Sequence, residues 1–350
     1  MAAAKSRLPP LPSIRDIIKV YRLRAKKQLS QNFLMDMNLC RKIVRAAGDL
    51  TGHHVCEVGP GPGGITRAIL EHDVAKLFVI EKDRRFIPGL EYLAEFSENR
   101  LIIVHDDVMT TDLGQCFPSE LAADWLDDPP PMNIIGNLPF NVSTPLIVKL
   151  LHAMSERSGP FAFGRIPLIL TFQMEVAQRM VAPIVERQRC RLSVVCEYLA
   201  DVEHLFTISG QNFVPPPKVT VSVVKLTPKM EPLIRLPFLV VNKFCRQLFH
   251  CPNKYSIKGV KTLFPDDMKD ALADEIFRRC RVNPKITCDK ICVEEIRDMC
   301  TVYDEICRRI PGTYLYEFRK PKPLQTLETE DSAIPPVYKY LDDSLKLQHL

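Results

Sequence analysis

From residue 53 onward, short apolar runs alternate with segments whose apolar positions recur at helical spacing. The apolar runs predict five strands, at residues 55–58, 77–80, 101–104, 133–135 and 168–172. Residues 65–70 predict a helix after the first of these strands. Another helix is predicted to open at Ser143-Thr144-Pro145, because a hydroxyl cap followed by proline marks a helix start. This alternation predicts an α/β fold, with helices on both faces of a parallel sheet.

The pattern changes at both ends of this region. Residues 201–208 and 219–226 predict two closing strands around a triple-proline turn, and beyond about residue 228 the pattern is helical. We therefore predict four parts. They are a basic leader with an N-terminal helix (1–26), a domain carrying the chemistry (27–227), a smaller helical domain (228–320) and a flexible tail (321–350).

The N-terminal region is strongly basic. Residues 1–50 contain eleven Lys and Arg against three acidic residues, although the whole chain has a formal net charge of only +5. Ser13 and Asp16 form a capping-box signature at the start of an amphipathic segment. An acid-poor, Arg-bearing amphipathic start favours import into the mitochondrial matrix. A helix that contacts RNA phosphates is the alternative.

Membrane spans and metal centres are not indicated by the sequence. No run of eighteen apolar residues is present, so no membrane span is expected. The twelve cysteines include no CxxC pair. The spacings Cys288/Cys292 and Cys245/His250/Cys251 do not match a zinc-ligand pattern. We expect no metal site, and we expect the cysteines to be reduced residues of the packed interior.

A glycine-rich run, Glu57 to Gly64, follows the first strand and precedes a helix. Glycine lets the backbone turn tightly and approach a ligand closely, so this position favours a cofactor loop. A plain tight turn and a dinucleotide site are the alternatives. Two strand ends add acids: Glu81 is placed to accept ribose hydroxyls, and Asp107 to accept the amine of a cofactor adenine. Asp106 competes with Asp107 on spacing alone.

The run Asn137-Leu138-Pro139-Phe140 follows the fourth strand. An adenine amine is a poor nucleophile, because its lone pair is delocalised into the ring. The Asn137 side-chain oxygen and the Leu138 carbonyl are candidates to accept its two N–H groups and to aim the lone pair at a methyl donor. Pro139 fixes the backbone and offers no competing donor, and Phe140 is a candidate platform for an extruded base. An ordinary Asn turn ahead of a helix is the alternative.

Taken together, these motifs resemble the ribosomal RNA adenine dimethyltransferase family of the KsgA type, and most closely its mitochondrial branch. The matching blocks span roughly residues 27–226 and comprise 27–34, 57–66, 81–83, 107–108, 137–145, 173–179 and 214–219. The resemblance implies a Rossmann-like class I S-adenosylmethionine-dependent methyltransferase with a smaller C-terminal helical domain that binds RNA. It implies two successive methyl transfers to each of two adjacent adenines in a hairpin loop of small-subunit rRNA, in support of ribosome assembly.

The same resemblance implies which residues contact S-adenosylmethionine. The expected cofactor residues are Gln31, Asn32, Leu34, Gly59, Gly61, Glu81, Lys82, Asp107, Val108 and Asn137. The match weakens beyond about residue 240, and Met174 stands where family members often carry lysine. Both departures concern RNA docking and not the catalytic core.

Two other functions remain open at this point. Mitochondrial relatives of this fold act as transcription factors that assist the organelle RNA polymerase, whereas the intact Asn137–Phe140 run favours the enzyme. Loops of related composition also methylate DNA adenine or protein glutamine, whereas the blocks at 29–34 and 214–219 favour the ribosomal family. The expected partners are small-subunit rRNA or the assembling mitochondrial subunit, with the polymerase as a further candidate, and the chain is expected to be a monomer.

Overall fold

The computed structural model describes residues 13–20 and 31–327. It divides into two compact units. One comprises the described residues up to Ala177 together with Asp201–Met230, and the other comprises Gln178–Ala200 together with the described residues from Glu231 onward. The predicted continuous domain at 27–227 is therefore interrupted. Its segment 178–200 joins the helical unit because the helix Arg191–Leu199 buries Val194, Cys196 and Tyr198 in contact with the helices that follow.

The first unit is built on a seven-stranded sheet with the order β4-β3-β2-β5-β6-β9-β7. Its strands are β2 (His54–Val58), β3 (Lys76–Ile80), β4 (Leu101–Val104), β5 (Met132–Gly136), β6 (Leu168–Gln173), β7 (Ala200–Ile208) and β9 (Val221–Pro228). Strands β2 to β6 run parallel, and β9 pairs antiparallel with β6. The predicted α/β fold and all of its predicted strands are confirmed, with bounds that differ by at most two residues.

The helices of this unit are α1 (Ile14–Val20), α2 (Met37–Arg45), α3 (Gly64–Leu70), α4 (Ile87–Glu95) and α5 (Phe140–Ser155), and α6 (Met174–Met180) begins at its end. The predicted capping box is present at α1, where Ser13 Oγ donates to Asp16 Oδ2 (2.6 Å) and Asp16 N donates to Ser13 Oγ (3.2 Å).

The predicted start of α5 at Ser143 is wrong, because the helix begins at Phe140 and contains Pro145. The Pro139 carbonyl accepts from Val142 N (2.9 Å) and Ser143 N (3.0 Å), so the first turn closes three residues earlier. Ser143 Oγ donates to the Phe140 carbonyl and does not cap the helix.

A separate two-stranded sheet pairs β1 (Phe33–Leu34) with β8 (Phe213–Val214) in antiparallel register. Phe33, Leu34 and Phe213 are buried in the hydrophobic core of the unit. This pairing places the segment that contains Asn32 against the body of the first unit, although it is remote from the main strands in sequence.

The second unit is helical in its described part. Its helices are α7 (Arg191–Leu199), α8 (Phe238–Leu248), α9 (Ser256–Lys261), α10 (Lys269–Cys280) and α11 (Val293–Arg309). Buried Lys243 donates to the carbonyls of Tyr314 and Tyr316, which ties the chain after α11 to α8. Among residues 13–20 and 31–327, no helix is long and apolar enough to cross a membrane. Within the same ranges, no cluster of three or more potential metal ligands occurs.

The predicted leader, except residues 13–20, and the predicted tail beyond residue 327 lie outside the described residues, as do positions 27–30 of the first matching block.

Candidate active site

A cavity of about 310 Å³ lies where β2, β3, β4 and β5 end, within the first unit. In a parallel α/β sheet this is the edge at which ligands bind. The cavity is lined by every predicted cofactor residue, namely Gln31, Asn32, Leu34, Gly59, Gly61, Glu81, Lys82, Asp107, Val108 and Asn137. Leu138 and Pro139 line it too, whereas Phe140 does not belong to its lining.

The glycine-rich loop has a backbone that L-residues rarely adopt. Gly59 and Gly61 have φ of +69° and +53°, which glycine reaches without a steric penalty. Gly61 N donates to Glu81 Oε2 at 3.0 Å, so the loop is bonded to the acid at the end of the neighbouring strand. This hydrogen bond joins the loop that follows β2 to the acid that follows β3.

Glu81 is 7% exposed, and burial raises the pKa of its carboxyl. Its second oxygen, Oε1, accepts from Asp83 N at 2.7 Å. Each carboxylate oxygen has two lone pairs, so both retain capacity for a ligand hydroxyl. The predicted ribose-binding acid is therefore oriented by backbone donors on both sides.

The two candidate acids after β4 have different surroundings. Asp106 is exposed, and its oxygens accept from Asp107 N (2.7 Å) and Thr111 Oγ1 (2.8 Å), both within its own loop. The Asp107 side chain is 29% exposed, and its Oδ2 pairs with the exposed Lys82 ammonium at 2.6 Å. Because Lys82 is 65% exposed, it can swing away and leave Asp107 Oδ2 to a ligand. The geometry favours Asp107 as the ligand-facing acid and Asp106 as an acid that shapes the loop.

Sequence reasoning missed a lysine that holds this loop. Lys149 of α5 donates to the carbonyls of Val108 (3.1 Å), Met109 (3.0 Å) and Thr111 (3.0 Å). Its three N–H groups are matched by three acceptors, and burial lowers the pKa of the ammonium. The only sequence signal is a single lysine in an otherwise apolar helical run, which is more often a residue whose charged end reaches solvent.

Gln31 is part of a charged network at the cavity wall. Its Nε2 donates to Asp83 Oδ2 at 3.0 Å, and its Oε1 accepts from Arg85 at 3.3 Å. The Arg85 guanidinium lowers the pKa of Asp83 to about 2. Both ends of the Gln31 amide are thus used within the protein, which indicates that this residue supports the wall.

Asn137 is held from two sides. Its Nδ2 donates to the Asn32 carbonyl (3.3 Å), and its Oδ1 accepts from the Thr171 hydroxyl (2.9 Å). Thr171 is fully buried on β6 and was not among the predicted site residues. A hydroxyl near the end of an apolar strand is the signal that could have found it.

The next three residues have separate surroundings. Leu138 is 3% exposed, and the side chain of a residue at Gly59 would lie 3.7 Å from Leu138 Cδ2. Pro139 precedes α5 and supplies the carbonyl that closes its first turn. Phe140 is half-buried and packs against the hydrophobic core of the unit. The core therefore holds one side of its ring, and the residue does not line the cavity.

Glu57 is the least expected residue of the cavity wall. It is 1% exposed, and burial raises the pKa of its carboxyl to about 8. Its Oε2 accepts no hydrogen bond within the described part of the chain. A buried carboxyl group whose Oε2 has no partner among the described residues, at a cavity wall, fits a ligand that brings a cationic group and so favours the ionised form. The sequence signal was an acid within a buried strand, one position before its end.

Comparison with known proteins places the chain in a family. The family described as ribosomal RNA adenine dimethylase matches residues 22–305. Dimethyladenosine transferase 1, mitochondrial, of Caenorhabditis elegans is 47% identical over 340 residues, which cover 95% of this chain and 93% of the relative. The Homo sapiens protein of the same name is 49% identical over 314 residues, which cover 90% of this chain and 91% of the relative.

Solved structures share the fold. A dimethyladenosine transferase from Plasmodium falciparum aligns with a TM-score of 0.62 at 20% identity, over 78% of this chain and 98% of its own. The 23S rRNA methyltransferase ErmE aligns with a TM-score of 0.52 at 19% identity, over 78% of this chain and 100% of its own. The chain therefore belongs to the ribosomal RNA adenine dimethylase family and is an S-adenosylmethionine-dependent rRNA adenine dimethyltransferase.

Proposed function

We propose that this enzyme dimethylates N6 of two adjacent adenines in a hairpin loop of mitochondrial small-subunit rRNA, in the matrix, and so supports ribosome assembly. The two mitochondrial relatives above and the basic N-terminal region support this compartment. We propose further that it acts as a monomer on the rRNA or on the assembling subunit. The observation that carries the proposal is that Asn137 and Leu138 line the same cavity as Glu81 and Asp107.

The residues of the cavity fit S-adenosylmethionine. Glu81 offers buried carboxylate oxygens for ribose hydroxyls, and Asp107 offers one for the adenine amine. Glu57 offers an unpartnered buried oxygen that suits the ammonium group of the methionine part. When bound, the cofactor supplies an electrophilic methyl group on a sulfonium.

The chain's own contribution is to present the target amine. The Asn137 Oδ1 and the Leu138 carbonyl accept the two N–H groups, which localises the nitrogen lone pair and fixes its direction. Positioned acceptors of this kind act without reorganising during the reaction. Pro139 adds no N–H that would compete for these acceptors. No strong base is needed beforehand, because the nitrogen becomes acidic once it is alkylated.

Dimethylation follows from the same geometry. After the first transfer the nitrogen retains one N–H and a lone pair, and rotation about its bond to the ring presents the lone pair again. Phe140, anchored by the core on one side, is proposed to support the extruded base by stacking, a contact typically worth about 1–3 kcal/mol per base.

The deciding experiment combines depletion of the protein with direct sequencing of the mitochondrial small-subunit rRNA. We expect both adjacent adenines to lose their dimethyl mark, and wild-type protein to restore it. An Asn137→Ala protein expressed at the same level should leave the mark absent. The proposal would be overturned if the rRNA carries no dimethyl mark before depletion, or if depletion leaves the mark unchanged.

A transcription role is separated by a second measurement in the same cells. If RNA polymerase output falls after depletion and Asn137→Ala restores it while the mark stays absent, the transcription function acts beside the methyltransferase. A reporter fused to residues 1–30 tests the compartment: we expect it in the matrix, and a cytosolic reporter would contradict import by this segment.

A further inference from the structure

Thr171 lies beside Asn137, at the part of the cavity that is proposed to hold the target adenine. In the parallel register of β5 and β6, Gly136 is opposite Leu170, so the next residues along, Asn137 and Thr171, are neighbours across the sheet. Thr171 is fully buried, and its hydroxyl donates to Asn137 Oδ1 at 2.9 Å. A buried hydroxyl in a strand whose other fully buried residues are apolar costs desolvation unless it is bonded, and this bond satisfies it.

The two contacts of Asn137 determine which way its amide faces. The Asn32 backbone carbonyl can only accept, so the amide nitrogen must lie on that side (3.3 Å). The oxygen is therefore on the Thr171 side, where the hydroxyl donates to it. One bond at each end leaves one N–H and one oxygen lone pair of the amide for a ligand in the cavity that Asn137 lines.

We propose that Thr171 is a positioning residue of the methyl-transfer site. Its hydroxyl holds the Asn137 amide so that Oδ1 accepts from the target adenine amine. This inference rests on the proposed role of Asn137. Thr171 itself touches neither the adenine nor the cofactor, because its side chain is buried behind Asn137 and does not line the cavity.

The loss of this bond has a specific consequence. With Asn137 tied only to the Asn32 carbonyl, its oxygen is free to rotate away from the direction that the target amine requires. Substrate and cofactor would still bind, because the groups proposed to hold them are unchanged. The rate of methyl transfer should therefore fall while the binding steps stay near their wild-type values.

The test compares Thr171→Val with Thr171→Ser. Valine keeps the volume and removes the hydroxyl, whereas serine keeps the hydroxyl and removes a methyl group. We expect Thr171→Val to lower single-turnover methylation of a hairpin RNA about 3- to 10-fold, the effect of one neutral hydrogen bond. S-Adenosylmethionine affinity by calorimetry and RNA affinity by filter binding should change less than about twofold on the same reasoning. Thr171→Ser should be close to wild type in rate.

A double-mutant cycle tests whether Thr171 acts through Asn137. If it does, Thr171→Val should cost nothing further in the Asn137→Ala background. An equal loss in both backgrounds, a loss that serine fails to restore, or a wild-type rate for Thr171→Val would overturn the inference. If Thr171→Val does not fold, Thr171→Ala is compared with Thr171→Ser on the same readouts.

The same cycle separates this inference from the proposed function. A wild-type rate for Asn137→Ala alone would remove the proposed role of Asn137 and with it the proposed mechanism. An impaired Asn137→Ala together with an unimpaired Thr171→Val would remove only the role of Thr171.

Discussion

The two walls of the cavity are stabilised in different ways. We call residues 57–62, 81–83 and 106–109 the cofactor wall, and residues 137–139 the target wall. In the cofactor wall, Gly61 bonds to Glu81 across 20 positions of sequence, and Asp107 bonds to Met109 across 2. In the target wall, Asn137 bonds to Asn32 across 105 positions and to Thr171 across 34.

This difference explains why short sequence motifs predict the cofactor wall more completely than the target wall. The cofactor wall is organised by loops that follow adjacent parallel strands, and Gln31 and Lys149 brace these loops from elsewhere in the chain. Its glycine-rich turn and its strand-end acids are encoded in short motifs. The target wall takes its orientation from segments that only the folded sheet brings beside it. We therefore expect changes in the cofactor wall to act on affinity and stability, and changes in the target wall to act on rate.

The largest expected effect is on the target wall. Asn137→Ala removes an acceptor for the target amine, and we expect the single-turnover rate to fall about 10²–10³-fold, as for other preorganised donors and acceptors. The rate is measured with a tritiated methyl donor and a hairpin RNA, at saturating concentrations of both substrates.

Phe140→Leu is the comparison for this variant. It keeps bulk against the core and removes the aromatic ring, so it should weaken RNA use at low concentration and preserve the saturated rate. Equal losses of saturated rate in Asn137→Ala and Phe140→Leu would contradict separate roles for these two residues.

The cofactor wall has a buried acid, and its effect should appear in stability. Burial raises the pKa of Glu57 to about 8, whereas the unfolded carboxyl titrates near its ordinary value of 4.5. The unfolded chain therefore loses this proton first, so the free energy of unfolding falls as pH rises from about 4.5 to about 8 and is then constant. Glu57→Gln should lack this decline, which we expect to be about 5 kcal/mol.

Urea unfolding of wild type and Glu57→Gln at pH 5, 6, 7 and 8 measures the difference. The two share all other titrating groups, so subtraction isolates Glu57. Glu95→Gln, at an exposed position, is the matched control and should follow the wild-type profile. Parallel pH profiles for wild type and Glu57→Gln would show that Glu57 is not buried as an acid.

The backbone of the cofactor wall should be sensitive to an added methyl group. Gly59→Ala adds a Cβ at a residue whose φ is +69°, and this atom would lie 3.7 Å from Leu138 Cδ2 and 3.9 Å from the Asn137 carbonyl oxygen, both on residues of the cavity lining. We expect S-adenosylmethionine affinity by calorimetry to fall about tenfold, and stability to fall by about 1–2 kcal/mol from the left-handed backbone.

Gly52→Ala separates the loss of cofactor affinity from the loss of stability. Gly52 has a φ of +72°, and a Cβ there would meet nothing within 4 Å. It should show a similar loss of stability with wild-type cofactor affinity. If Gly59→Ala and Gly52→Ala lose S-adenosylmethionine affinity equally, the loss comes from backbone strain and not from a methyl group beside the cavity.

The smallest expected effect concerns Lys149, which braces the cofactor wall from outside. Lys149→Met removes the donor to three carbonyls of the loop after β4, and we expect S-adenosylmethionine to bind about 3- to 10-fold more weakly. The saturated rate should be preserved, because the target wall is intact. Lys76→Met is the control, since Lys76 donates to a single carbonyl, that of Asn99, and does not line the cavity. A change in saturated rate without a change in affinity would place Lys149 in the target wall.

Strand positions were predictable because a parallel sheet buries its strands as apolar runs that stand out between polar turns. The start of α5 was not, because Ser143 and Pro145 imitate a helix start while the Pro139 carbonyl closes the first turn earlier. The place of residues 178–200 in the helical unit was not predictable either, since helix α7 has the same sequence pattern whether it covers the sheet or joins the C-terminal helices.

Local sequence predicts the α/β fold, the glycine-rich loop and the acids that follow β3 and β4, because each depends on residue type and on neighbours a few positions away. The folded structure alone shows that Asp106 bonds within its own loop whereas Asp107 pairs with Lys82. It also bonds Gln31 to Asp83 at the cavity wall, and it brings Lys149 and Thr171 against residues of the cavity lining. These four outcomes depend on which side chains meet across strands and helices. Such contacts are set by the register and packing of the folded chain, and local motifs do not predict them.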